Sequence, residues 1–160
     1  MDIEEQYDKI YRYCYFKLRQ QHMAEDITQE TFLRFLESDT YRNTGQALQY
    51  LYTVARNLCI DEYRRKACEP LPEDEEGYHK GTHDRTEPDM EERLLTSIVI
   101  RAALEELHEE ERELVLLRYV NEVPVSVISK LFGISRFAIY RRTRTCLKAL
   151  HDKLVKEDFL

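Results

Sequence analysis

An all-α chain, folded as two small helical domains on either side of a flexible acidic linker, is what this sequence predicts. Three observations carry that expectation. The chain has only four glycines and four prolines in 160 residues, and five of these eight (Pro70, Pro72, Gly77, Gly81 and Pro88) fall within one central stretch. On both sides of that stretch apolar residues recur three and four apart, the period of an amphipathic helix. The composition, 42% hydrophobic and 34% charged, suits helices with packed inner faces and solvated outer ones.

The same composition excludes several classes. No apolar run approaches the roughly 20 residues that span a bilayer, and the opening MDIEEQYDKIYRY is too charged for a signal peptide. Cys14, Cys59, Cys68 and Cys146 show no CxxC spacing, so neither a zinc ribbon nor a disulfide framework is indicated. A cytoplasmic protein with reduced thiols and no direct membrane insertion is expected. The five histidines are scattered and no nucleophile, metal or phosphate-loop spacing stands out, so the chain is expected to be no enzyme and to need no cofactor or metal. Net charge is −7, yet Ala67 to Glu92 holds ten acidic residues against Lys80 and Arg85. That segment accounts for −8, which leaves the remainder near neutral with its bases clustered.

The elements follow in order. Tyr7, Ile10, Tyr11, Cys14, Tyr15 and Leu18 mark a first helix over about Ile3–Arg19. A second, about Met23–Glu37, has Ile27, Thr31 and Phe35 as its inner stripe with Phe32, Leu33 and Leu36 beside them. The turn-formers of Ser38–Gly45 predict a loop. From Gln46 a long helix begins, with Leu48, Leu51, Ala55, Leu58 and Cys59 inward and Tyr50, Thr53, Asn57 and Arg64 roughly opposite. Arg56, Tyr63 and Arg65 flank that outer face. Aromatics interleaved with arginines suit a single-stranded nucleic acid, because bases stack on rings while guanidinium groups hold phosphates. Tyrosines packed with their hydroxyls at the surface would read the same way in sequence.

The linker is placed at 68–90, between domains at 1–67 and 91–160; so long a stretch of acids, prolines and glycines cannot bury much apolar surface. A helix from about Asp89 then carries Leu94, Leu95, Ile98, Ile100, Ala103, Leu104 and Leu107, and another runs from about Glu109 to Tyr119. VPVSVISKLFGISRFAIYRRTRTCLKAL, Val123 to Leu150, reads as two helices broken by a tight turn. Pro124 opens the first near its start, Gly133 ends it, and Ser135 caps the second. In the second, Ile139, Thr143, Cys146, Leu147, Leu150 and Leu154 form the buried stripe, while Phe137, Arg141, Arg144 and Lys148 share another face. No acid occurs from Arg136 to Lys148. This is the pattern of a helix-turn-helix with a recognition helix for the major groove of DNA.

The order of these motifs resembles the extracytoplasmic-function group of bacterial sigma factors, in the sigma-70 family, over nearly the whole chain. EDITQETFLRFLE (Glu25–Glu37) is similar to the helix of region 2 that docks on the β′ subunit of RNA polymerase. YLYTVARNLCIDEYRRK (Tyr50–Lys66) is similar to the helix that captures and helps melt the −10 promoter element. LEELHEEERELVLLRYVNEVPVSVISKLFGIS resembles region 4 up to its turn, and RFAIYRRTRTCLKAL the helix read against the −35 element.

The resemblance implies partners and sites. The partners would be core RNA polymerase, through its β and β′ subunits, promoter DNA, and an anti-sigma factor. Asp26, Gln29, Glu30 and Phe32 would bind polymerase. Tyr41 and Asn43 of the loop, with Tyr50, Tyr52, Arg56, Asn57, Arg64 and Arg65 of the long helix, would hold −10 DNA. Ser135, Arg136, Phe137, Tyr140, Arg141, Arg144 and Lys148 would contact the −35 element. Several positions depart from the family pattern: Tyr50 where tryptophan is common, His108 for a frequent proline, Ser129 for a frequent alanine, and Arg136 and Phe137 where small residues are usual. Two other readings stay open from the residues alone: a helix-turn-helix regulator that binds duplex operator DNA without melting it, and a helical adaptor whose basic helix faces solvent.

Overall fold

The structure, a computed structural model, describes residues 2–38, 46–68 and 100–156, the side chain of Cys68 excepted. Most of the loop holding Tyr41 and Asn43, nearly all of the acidic linker, and the start of the helix expected from Asp89 lie outside the described residues. The chain divides into two compact units, Met1–Gly81 and Thr82–Leu160. Among the described residues every regular element is helical.

In the first unit, α1 (Ile3–Leu18), α2 (Gln21–Glu37) and α3 (Ala47–Cys68) each pack on the other two. Asp2 starts α1 as an N-cap, its Oδ1 accepting from the N–H groups of Glu4 at 3.0 Å and Glu5 at 3.4 Å. Arg19 ends it in the left-handed conformation, φ 54°, and the two-residue connection folds α2 back on α1. The core takes Ile10, Tyr13, Cys14 and Leu18 from α1, Ala24, Ile27, Phe32 and Phe35 from α2, and Leu51, Tyr52, Ala55 and Cys59 from α3. Thr28 and Thr31 are also buried, and each hydroxyl donates to a carbonyl one turn back, those of Ala24 and Ile27. Neither polar group is therefore left unsatisfied.

The largest departure from the periodic reading sits at the centre of this core. Tyr13 and Tyr52, 1% and 0% exposed, meet edge to face with ring centroids 5.8 Å apart. Neither belongs to the stripe expected of its helix. Leu33 and Leu36, expected beside the inner stripe of α2, are instead exposed.

In the second unit residues 100–105 are helical, and α4 (Glu109–Val115) follows. The helix expected to run on to Tyr119 widens into a π-helical turn, Leu116–Val120. Its pitch is set by the Asn121 N–H, which donates to the Leu116 carbonyl at 2.9 Å, five residues back. Leu114, Val115, Leu116 and Leu117 consequently stay inside in succession, while Tyr119 and Val120 face out. Glu113 is buried as well, 2% exposed.

The helix-turn-helix is α5 (Val125–Phe132) and α6 (Arg136–Lys156). Gly133 sits between them at φ 66°, its N–H bonded to the Ser129 carbonyl. The Ser129 hydroxyl crosses the same turn and donates to the carbonyl of Ile134. Ser135 caps α6, its Oγ accepting from the Ala138 N–H at 3.1 Å. Ile139, Thr143 and Cys146 are the buried members of α6; Leu147, placed in the same stripe by its spacing, is exposed.

A Cβ on Gly133 would meet no atom within 4 Å, so the cost of a side chain there is purely conformational. Gly133→Ala is expected to lower the stability of the second unit by about 1 kcal/mol. Urea unfolding measures it, and an unchanged midpoint would contradict the left-handed turn.

Candidate nucleic-acid interface

Helix α6 carries two faces of opposite character. Its buried residues lie toward α4 and α5, which pack against it. At about 100° per residue, Phe137, Arg141, Arg144 and Lys148 fall within about 40° of one line along the other side. All four are exposed; Tyr140 borders the line about 60° away, and Arg136, the first residue of the helix and about 100° from it, is also exposed. Among the described residues none of Arg136, Arg141, Arg144 and Lys148 takes part in an ion pair. Arg142 differs: it points to α4 and pairs with Glu110 at 2.9 Å. A row of exposed cations is held toward solvent by a helix whose first turn Ser135 fixes. Phe137, 86% exposed, is the most exposed large apolar residue described.

On α3, Thr53, Asn57, Ile60 and Arg64 line the solvated face, with Tyr63 beside them at 56% exposed. Tyr50 is half-buried: its ring lies 6.2 Å from that of Phe35, and its hydroxyl donates to the Arg34 carbonyl at 3.3 Å. Arg56 is half-buried too. Arg65 is exposed but makes a forked pair with Glu62, at 2.7 and 3.1 Å on its own helix. Tyr52 does not belong to this face. It stands on the opposite side of α3 in the core, so its assignment to DNA is corrected to a packing role.

Helix α2 presents Asp26, Gln29 and Glu30 to solvent, Glu30 paired with Arg34 at 2.9 Å. Phe32 is 6% exposed and packs 5.2 Å from the ring of Tyr7, so it holds the helix in place and offers no docking surface. The exposed apolar residues among these acids are Leu33 and Leu36. Their off-stripe spacing from Ile27, Thr31 and Phe35 was the signal that could have found them.

Among the described residues no cluster of histidine, cysteine or carboxylate groups could hold a metal, and no helix is long and apolar enough to cross a membrane. Cys14, Cys59 and Cys146 are buried free thiols, and burial pushes the Cys146 thiol above its ordinary pKa, with Glu111 adding to the rise.

Residues 3–68 match the family model of Sigma-70 region 2, and residues 97–150 that of Sigma-70, region 4. The chain is 31% identical over 156 residues to the ECF RNA polymerase sigma factor SigW of Bacillus subtilis, an alignment that covers 92% of this chain and 83% of the relative. It is 30% identical over 151 residues to the ECF RNA polymerase sigma factor BldN of Streptomyces coelicolor, covering 91% of this chain and 57% of that longer relative. A third relative, the ECF RNA polymerase sigma factor SigM of Bacillus subtilis, is 26% identical over 166 residues, 99% of this chain and 100% of the relative. The unit that carries the solvated face of α3 thus matches region 2 and the unit that carries the arginine row of α6 matches region 4: the chain belongs to the extracytoplasmic-function sigma factors of the sigma-70 family.

Proposed function

We propose that this chain is a non-catalytic transcription initiation factor that binds core RNA polymerase and directs it to specific promoters. The observation that carries the reading is the pairing, in one chain, of a region 4 unit with an exposed basic row on its recognition helix and a region 2 unit with a solvated polar and aromatic helix face. A duplex-binding regulator needs only the first. In this reading α6 enters the major groove of the −35 element, with Arg136, Arg141, Arg144 and Lys148 divided between phosphates and base edges. Asn57, Arg64 and Tyr63 of α3, joined by Tyr50, Arg56 and Arg65, face the displaced strand at −10, and the assignment of Tyr41 and Asn43 to the same DNA rests on the family resemblance. Stacking and phosphate contacts there offset the few kcal/mol that unstacking a base requires, about 1–3 kcal/mol per stacked base.

Polymerase docks on the acidic outer face of α2, Asp26, Gln29 and Glu30, with Leu33 and Leu36 taking the place assigned to Phe32. An exposed leucine pair rimmed by carboxylates has the character of an interface, an apolar centre with a polar edge. An anti-sigma factor is the remaining partner, and the working compartment is the cytoplasm. The acidic connector keeps net charge at −7, so affinity for free DNA is low and tight promoter contact depends on polymerase. Added to core polymerase with a library of promoter fragments, the chain is expected to yield specific run-off transcripts from a subset sharing two spaced elements. Transcription no different from core polymerase alone would reject the reading.

A further inference from the structure

Phe137 is the feature of the recognition helix that a charge argument leaves unexplained. It is the second residue of α6, in the turn that Ser135 caps, and its ring is 86% exposed. It shares a line with Arg141, Arg144 and Lys148 and stands at the N-terminal end of that row. Those cations dictate what covers the ring: a polyanion drawn to the row must pass over Phe137. In a helix-turn-helix the N-terminal residues of the second helix reach base edges, while the first helix crosses the backbone. A phenyl ring offers no hydrogen bond to a base edge. The one apolar group that a base pair displays in the major groove is the C5-methyl of thymine, and phenylalanine is among the side chains that contact it.

We propose that Phe137 reads a thymine C5-methyl group in the −35 element. The inference rests on the assignment of α6 to −35 duplex DNA, and it adds a chemical preference that the arginines do not supply. Guanidinium groups favour guanine, through O6 and N7, and phosphates. An apolar ring at the end of the row demands an A·T pair in a defined orientation at its own position. Tyr140, 51% exposed and one turn along, borders the same contact with a hydroxyl that tolerates water.

Deoxyuridine removes this methyl group and nothing else, which makes the test direct. The −35 element is first taken from promoters selected by the full chain with core polymerase, and each of its thymines is replaced in turn. For the wild-type holoenzyme, one replacement is expected to lower promoter binding about fourfold, the value of burying one methyl group. Phe137→Ala should bind the thymine and deoxyuridine promoters equally, and weaken the thymine promoter by at least that factor. Phe137→Leu, which keeps an apolar contact, should retain part of the discrimination. An exposed site leaves folding of these variants undisturbed, and alanine favours the helix. A selected element without an A·T pair overturns the proposal, as does a wild-type holoenzyme indifferent to every replacement or a discrimination that persists in Phe137→Ala. A wild-type chain that gives no specific initiation overturns instead the assignment on which the proposal stands, and the proposal with it.

Discussion

Replacing Arg141 and Arg144 together with alanine is expected to lower −35 engagement by the holoenzyme roughly a hundredfold, two contacts at about 1–3 kcal/mol each. The size follows from where the two side chains stand. Both are exposed on the outer line of α6, neither is in an ion pair among the described residues, and no carboxylate lies between Arg136 and Lys148 to compete with a phosphate. The single variants separate two roles. An arginine on a phosphate weakens all promoters alike and flattens the salt dependence by about one unit, whereas one on a base edge relaxes selectivity at one position. Arg142→Ala is the control. Its guanidinium already pairs with Glu110 on the body of the unit, so promoter affinity should change less than about twofold, and stability by under about 1 kcal/mol for so exposed a pair. Equal losses from Arg141 and Arg142 would remove the outer face of α6 from the account.

Tyr52→Ala should cost the first unit about 3–5 kcal/mol, as truncation of a large buried aromatic does. The ring is fully buried and packs edge to face on Tyr13, so removing it leaves a cavity in the core of the first unit. A small helical domain has modest stability, of order 5 kcal/mol, and this loss consumes most of it. Urea unfolding by circular dichroism should show the early transition. Asn57→Ala, five residues along α3 but on its solvated face, should leave that transition within about 0.5 kcal/mol of wild type and reduce promoter opening. The opposite pattern, a stable Tyr52→Ala with defective opening, would return Tyr52 to the DNA face.

These two residues illustrate what the sequence makes legible. Helix existence was plain, because the spacing of Ile27, Thr31 and Phe35, or of Ile139, Thr143 and Cys146, has one physical meaning, and all six are buried. The turn was equally plain, since Gly133 and Ser135 have local chemistry that needs no partner to interpret. Tyr52 was assigned to DNA by the resemblance alone, and a match of segments does not say which side of the helix a ring takes; its packing on Tyr13, on another helix, decides. Phe32 was likewise placed by the resemblance, and only the ring of Tyr7 on α1, 5.2 Å away, shows that it is packed inward. The π-helical turn at Leu116–Val120 is a matter of which leucines the neighbouring helices accept, so a strict period of 3.6 could not show it. Burial of Glu113 is likewise a tertiary fact.

Within the candidate interface the basic row of α6 was fully legible, helped by the complete absence of acids from Arg136 to Lys148. Sorting its arginines was not. Arg141 and Arg142 are adjacent in sequence and both exposed, and only the position of Glu110 in the folded unit engages one and leaves the other to solvent.

The central claim is that one chain engages a duplex element and melts another, and a permanganate footprint of the holoenzyme on a selected promoter tests it most directly. Permanganate oxidises unstacked thymines, so the account predicts reactive thymines confined to the −10 region, alongside protection of the −35 duplex, with both lost in the Arg141→Ala, Arg144→Ala double variant. Protection of a duplex site without reactive thymines, or the same protection by the chain in the absence of polymerase at physiological salt, would contradict it.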